Sequence, residues 1–453
     1  MNTWPLIFCF PTTNIIIIII IMNYFNPLRR FNENIEIKHF IRQGFQSVKY
    51  YALRIDYDLV DYEQRKISLA FSSIKRAIIL ALNSWISTMF LLSYVIWPHN
   101  DYFISIETFD EIVHAKRNDF IAIEMIIVFI LRECLFIHHL NEFIKYKSKI
   151  NEFLINYWHY NDNELSLEYR NHLIQFYRKS YSISIISYRI FTFGLLAINF
   201  ITEFFGFYLY KNGQISLLKF ILSLIFFFLY ICQCIYIVCD SFMVIGFLVF
   251  VIEFFRIRFK QFSLKSMNIF ENSFQSSRIE QKLFWYRFHS DYVYLYSETD
   301  KFNLVLRNIL LFTEFCSKSL VVICLLFYSH QTKMHIQNTV TTFIFVALFC
   351  LVNILYFRIA HLPSYNQNCC LSIHRWIARS QWSNKERKEH RNRLPLRYSL
   401  KSRLFLQTMT RNQFGFTCGR MFFISKFKYI QMFIMNFHMA IKFYKKICLS
   451  QTK

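Results

Sequence analysis

Three ionisable residues interrupt an otherwise apolar stretch: Arg307, Glu314 and Lys318 fall, with Leu311, along one stripe of a helix. Glu314 and Lys318 are four residues apart with the acid on the N-terminal side, the order that favours an ion pair between successive turns. Inside a membrane span such groups face the bundle interior or a water-filled cavity. The stripe is then a polar lining or a subunit contact near a pore. The plainer reading is a self-neutralised Glu314–Lys318 pair, with Arg307 reaching for the membrane boundary. Residue types alone leave both open.

Constellations for covalent chemistry are scarce. The chain has no Gly-rich phosphate loop, no Gly-x-Ser-x-Gly elbow and no His-Glu-x-x-His, and its seven glycines leave little scope for close backbone approach to phosphates. No catalytic residue, metal site or cofactor is assigned. His138–His139 at the end of an apolar stretch is more simply an interfacial polar tip than a metal-binding pair. Cys369–Cys370 with His374 is a weak metal pattern. That cysteine pair suits reversible acylation better, and plain surface thiols are the simplest reading.

Aromatic residues crowd the ends of several apolar stretches: Phe204, Phe205, Phe207, Tyr208 and Tyr210, then Phe220, Phe327, Tyr328 and Phe343. Small-molecule pockets are apolar and aromatic with a few polar groups, and spaces between helices are a usual place for them. Glu124 and Glu203 can supply those polar groups. A candidate pocket is therefore Glu124, Glu203, Phe204, Tyr208, Phe327, Tyr328 and Phe343. An aromatic belt at the membrane interface produces the same pattern, and with 54 Phe and 28 Tyr the whole chain is aromatic-rich.

These residues sit on elements whose class follows from composition. Of 453 residues, 55% are hydrophobic and only 18% charged, and the apolar ones come in blocks of about twenty. That excludes a disordered or nucleic-acid-coating chain and disfavours a water-soluble enzyme. Seven blocks are long enough to span a bilayer: 78–97, 120–140, 183–210, 216–255, 303–328, 340–360 and 420–443. The second carries Glu124, Arg132 and Glu133, so one of its sides faces protein or water. Most cysteines lie inside these blocks and act as small hydrophobes rather than a disulfide framework.

The net charge of +23 selects the topology. The fourth block is about 60 Å long as one helix, twice the hydrocarbon thickness, and Asp240 offers a place to split it. With one unbroken helix and an internal N-terminus, the segments 23–77, 141–179, 256–302 and 358–417 hold 36 Lys and Arg, against 8 in the external ones. Splitting the block would send the two most C-terminal of those basic segments outside, so the positive-inside rule favours one long helix. The predicted fold class is all-α: a seven-span transmembrane bundle with a cytoplasmic N-terminus and an extended fourth helix. Residues 1–22 form a doubtful apolar leader, 23–77 a cytoplasmic N-terminal segment, 78–443 the membrane domain and 444–453 a short extracellular tail. The basic run Arg375–Arg403 is a solvated loop that can also touch anionic lipid.

The C-terminal residues RLFLQTMTRNQFGFTCGRMFFISKFKYIQMFIMNFHMAIKFY resemble the last span of the arthropod gustatory receptors, relatives of the insect odorant receptors. Phe416, Thr417, Gly419, Phe422 and Ile424 match the family's lead-in. Asn436-Phe437 stands where Thr-Tyr is expected, and Phe443-Tyr444 where Gln-Phe is expected, so spacing and aromatic character are kept and the hallmark Gln is lost. The specific likeness covers about 40 residues, while span number, inverted topology and the long fourth helix extend it loosely from residue 23 onward.

The resemblance implies a homo- or heterotetrameric ligand-gated cation channel of the plasma membrane. Its seventh helices line a central pore, and a small-molecule tastant sits among the second to sixth spans. Phe433, Ile434, Phe437, Ile441 and Phe443 are then the candidate pore and gate residues, closing by dewetting; packing against neighbouring helices or lipid explains each of them equally well. Lys442, Lys445 and Lys446 at the outer mouth would repel cations. A polytopic transporter or membrane enzyme is the alternative, opposed by the lack of internal repeats and of Gly/Pro-broken helices. A G-protein-coupled receptor would have its N-terminus outside. Tags on the two termini should therefore be antibody-accessible on intact cells only at the C-terminus, and the reverse pattern refutes the topology.

Overall fold

The computed structural model describes residues 42, 54–55, 57–66, 71–97, 119–148, 151–152, 155, 165–272, 278–329, 349–386, 396–412 and 414–451. Among them the elements are nearly all helical: α1 (Leu59–Glu63), α2 (Phe71–Ile96), α3 (Asp119–Ile144), α4 (Leu167–Lys211), α5 (Leu217–Asn272) and α6 (Arg278–Ser329). A helical run over 349–360 then leads to α7 (Leu362–Glu386), α8 (Leu396–Arg411), the strands β1 (Thr417–Cys418) and β2 (Phe422–Phe423), and α9 (Lys426–Gln451).

The long fourth helix is present. α5 runs unbroken for 56 residues, through Asp240, a length of about 84 Å. No proline interrupts it, and Gly246 serves packing rather than a break. Ser184 of α4 comes so close that any Cβ at Gly246 would collide with its hydroxyl, while Ser180 Oγ donates to the Gly246 carbonyl at 3.4 Å. Small residues at a helix contact let two backbones approach in this way.

Three helices among the described residues are long and apolar enough to cross a membrane: α2, α4 and the Leu217–Asn268 part of α5. They contain the third predicted block and all but one residue each of the first and fourth. α3 covers the second, but Glu124, Arg132, Glu133 and Glu142 keep its charge too high for a purely lipid-facing span. The fifth block lies within α6, and the described part of the sixth, 349–360, is helical. The seventh begins later than predicted. Residues 417–423 form an antiparallel hairpin, with Thr417 opposite Phe423 and Cys418 opposite Phe422, and the helix starts at Lys426. Gly419 turns the hairpin at φ +60°, a conformation open to glycine. Ser425 then caps the helix, its hydroxyl accepting from Lys428 N at 3.3 Å.

Two cores hold the helices together. The larger gathers Ile55, Tyr57, Leu59 and Tyr62, the start of α4, the C-terminal half of α5, the N-terminal half of α6, the 349–360 run, α7, α8 and the hairpin. Aromatic pairs dominate it: Phe255 stacks on Phe302 at 5.4 Å, Phe259 meets Phe414 edge-on at 4.5 Å, and Trp285 stacks on Trp376 at 5.7 Å. Each such pair adds about 0.5–1.5 kcal/mol beyond the area it buries. The smaller core joins α2, α3 and the N-terminal half of α5 through Phe90, Leu91, Phe129, Phe227 and Ile231. Around it the apolar surface turns outward, as at Phe193 and Phe200 of α4, which are 77% and 71% exposed. Replacing Gly246 by Leu should prise α4 from α5 and cost about 1–3 kcal/mol through overpacking. A lowered unfolding temperature of the purified protein is the expected result, and Gly246→Ala should lower it less, because rotating the Ser184 hydroxyl away relieves most of a single Cβ's clash.

Candidate functional site

The predicted polar stripe of α6 forms locally. Lys318 Nζ lies 2.6 Å from Glu314 Oε1, both side chains largely buried, so the pair is neutralised within one helix face. Arg307, one turn before Leu311, is engaged through its backbone: its carbonyl accepts from Gly419 N at 2.8 Å. Leu311 packs its Cδ2 directly beneath Gly419. The stripe is thus where the hairpin docks. Asn303 extends the contact, its Oδ1 accepting from Thr417 N at 2.8 Å and from the Thr417 hydroxyl at 3.2 Å. Tyr356, fully buried in the 349–360 run, donates to the Leu310 carbonyl at 2.8 Å and meets Cys418 Sγ at 3.4 Å. These bonds tie α6, the 349–360 run and the entry to α9 into one block.

The candidate pore residues occupy an open helix face. Phe433, Ile434, Phe437 and Ile441 are all exposed, while Met432 is buried and Tyr429 turns inward to Phe357 at 5.9 Å. Phe443 lies on the same helix, its side chain outside the described residues. α9 packs on α6 and leaves this apolar stripe uncovered within one chain.

The candidate pocket residues are only partly described. Glu203 Oε1 accepts from Asn199 Nδ2 at 2.7 Å, one turn back on α4. Phe204 and Tyr208 lie on the outward face of α4, 61% and 53% exposed, away from its buried positions Asn199, Thr202, Gly206 and Leu209. Glu124 lies on α3, and Phe327 and Tyr328 at the end of α6, with side chains outside the described residues; Phe343 lies outside them altogether. The described cleft is elsewhere. It has about 430 Å³, lies between the start of α4, α5 and α6, and is lined by Tyr169, Phe262, Lys265, Phe288 and Asp291 among others.

Two ionic clusters escaped the sequence reading. Arg54 of the N-terminal segment holds Glu133 of α3 with both guanidinium ends, at 2.9 and 2.6 Å, and both side chains are buried. The neighbouring Arg132 guanidinium lies 4.4 Å from the ring of Tyr236 on α5. Arg132 and Glu133 of α3 thus face protein, as ionisable groups in a span require, but the partner of Glu133 comes from a segment 79 residues earlier. The second cluster centres on Glu253 of α5. Arg256 donates to it through Nε at 2.8 Å and also through Nη2, Arg358 Nη1 reaches it at 2.6 Å, and His172 Nε2 stands 3.3 Å away. The Glu253-x-x-Arg256 spacing was the available signal.

The Cys369–Cys370 pair is not a surface feature. Both thiols are buried on α7, and burial pushes Cys369 up to about 12 and Cys370 up to about 11. Burial overturns the surface-thiol reading and leaves neither thiol accessible for acylation. Their apolar surroundings against α5 and α6 decide this.

No family model matches the sequence, and no curated protein matches it. The structure is similar to that of the insect olfactory receptor OR5 from Machilis hrabei, solved in complex with eugenol. The TM-score is 0.56 at 9% sequence identity, over 91% of this chain and 98% of that one. The chain has the fold of an insect olfactory receptor. At this identity the likeness is one of architecture alone.

The Arg54–Glu133 pair gives a direct test of how α3 is held. Glu133→Leu alone strands a buried guanidinium and should cost about 3–5 kcal/mol, whereas Arg54→Met with Glu133→Leu should recover most of that loss. Thermal unfolding of the three proteins in detergent measures the difference.

Proposed function

We propose that this protein is a chemosensory receptor of the gustatory type, acting as a ligand-gated ion channel in the plasma membrane rather than as an enzyme. The observation that carries the reading is the uncovered apolar stripe of α9, on a chain whose fold is that of an insect olfactory receptor. Four such helices, one from each subunit of a homo- or heterotetramer, would bury that stripe around a common axis. Phe433, Ile434, Phe437 and Ile441 would then form an apolar constriction that conducts only when wetted.

In this reading, supported by the distribution of Lys and Arg, the N-terminus lies inside the cell and the chain crosses the membrane seven times, with the C-terminal half of α5 in the cytoplasm. A small-molecule tastant would bind among the second to sixth spans; the similar receptor structure was solved in complex with eugenol. Glu203, Phe204 and Tyr208 of α4, with Glu124, Phe327, Tyr328 and Phe343, are the candidate residues. Binding opens the channel only to the extent that the open arrangement holds the ligand more tightly. The block formed by α6, the 349–360 run and the hairpin is a rigid route from the bundle to the start of α9.

Expression in oocytes, with sugars, bitter compounds and amines applied while current is recorded, tests the proposal. Ligand-evoked current should appear, Phe437→Ala should raise the current without ligand, and Lys442→Gln should increase cation permeation. Surface-expressed protein that stays silent to the whole panel, alone and with partner receptors, counts against channel function; currents indifferent to both substitutions count against α9 as the pore.

A further inference from the structure

The Glu253 cluster carries more positive charge than its carboxylate can neutralise, and it lies where three apolar segments end. Glu253 and Arg256 close the apolar part of α5, Arg358 and His361 close the 349–360 run, and Lys426 opens α9. The Phe357–Tyr429 ring contact at 5.9 Å sets the first turn of α9 against the 349–360 run, which brings Lys426 to this place. His361 packs on the same Phe357 ring at 4.7 Å.

Glu253 itself has no exposure, while Arg256 and Arg358 remain 28% and 31% exposed and His172 53%. Lys426 is exposed as well. Burial, with the positive charges of Lys426, Arg256 and Arg358, holds His361 below its ordinary pKa, so it is neutral at pH 7 and adds a hydrogen-bonding nitrogen. Two arginines and a lysine against one carboxylate leave the cluster doubly positive.

We propose that Arg256, Arg358, His361 and Lys426 form a binding site for the phosphate of an anionic lipid head group at the edge of the bilayer. Arginine presents a planar fork that matches phosphate oxygens; Arg358 gives only Nη1 to Glu253, whereas Arg256 gives Nε and Nη2 to it and also bonds Tyr365. A surface cluster of basic residues at the ends of spans is suited to an anionic leaflet. The site joins α4, α5, the 349–360 run and α9, so an occupied site braces the first turn of α9 against the rest of the bundle. Phosphate recognition is the core of the claim, and a lipid is the source favoured by the position at three segment ends.

The test uses full-length receptor in phosphatidylcholine nanodiscs and a fluorescent phosphatidylinositol bisphosphate, and needs no channel activity. Saturable binding is expected. Lys426→Gln should weaken it about fivefold. Glu253→Gln, which removes the carboxylate charge and one of its two acceptor oxygens, should tighten it, and the unfolding temperature of each variant reports its folding. Competition by phosphatidic acid but not by inositol trisphosphate or inorganic phosphate supports a lipid; equal competition by the soluble compounds overturns the lipid assignment. Absence of saturable binding, or binding unchanged in folded Lys426→Gln, overturns the site.

Discussion

A carboxylate with no exposure to solvent, Glu253, constrains much of this molecule. An isolated buried charge costs far more than a domain can spare, so it persists only where cations and hydrogen bonds surround it. Here the surrounding groups come from three places: Arg256 one turn along α5, Arg358 from the 349–360 run, and His172 from α4. Satisfying Glu253 fixes the rotation of α5 against two neighbours. That rotation in turn aims Phe250, Phe254, Phe255 and Phe259 into the larger core.

The same logic recurs at smaller scale. Glu133 is satisfied by Arg54, and the Arg258–Glu298 pair joins α5 to α6 at 2.7 Å with both side chains nearly buried. Because each pair links elements distant in sequence, the ionic contacts act as register pins more than as sources of net stability. Bulk stability comes from the aromatic core, where α5, α6, α7, α8 and the hairpin meet. In the remainder of the bundle the apolar residues face outward, which is reasonable only if lipid is their solvent.

The hairpin before α9 converts this rigid block into a mechanical connection. It is pinned to α6 by Asn303 and by the Arg307 carbonyl, and Cys418 sits beside Tyr356. Any displacement of α6 or the 349–360 run must therefore reach the first turn of α9, because packed cores shift between discrete arrangements rather than deforming smoothly. In the proposed channel reading, that connection would couple a pocket in the bundle to α9.

Hydropathy and charge in the sequence determined the membrane class, the predominantly helical elements, the unbroken α5 and the need of α3 for protein on one side, since periodicity and desolvation cost act locally along a chain. The Glu314–Lys318 pair was legible for the same reason, being four residues apart on one helix. Tertiary structure decided which distant cations meet Glu253 and Glu133, that residues 417–423 pair as a hairpin instead of opening the last helix, and that Cys369 and Cys370 are buried. Those outcomes depend on contacts between segments 70 or more residues apart or on a left-handed glycine turn seated on another helix, and no local pattern of residues encodes them.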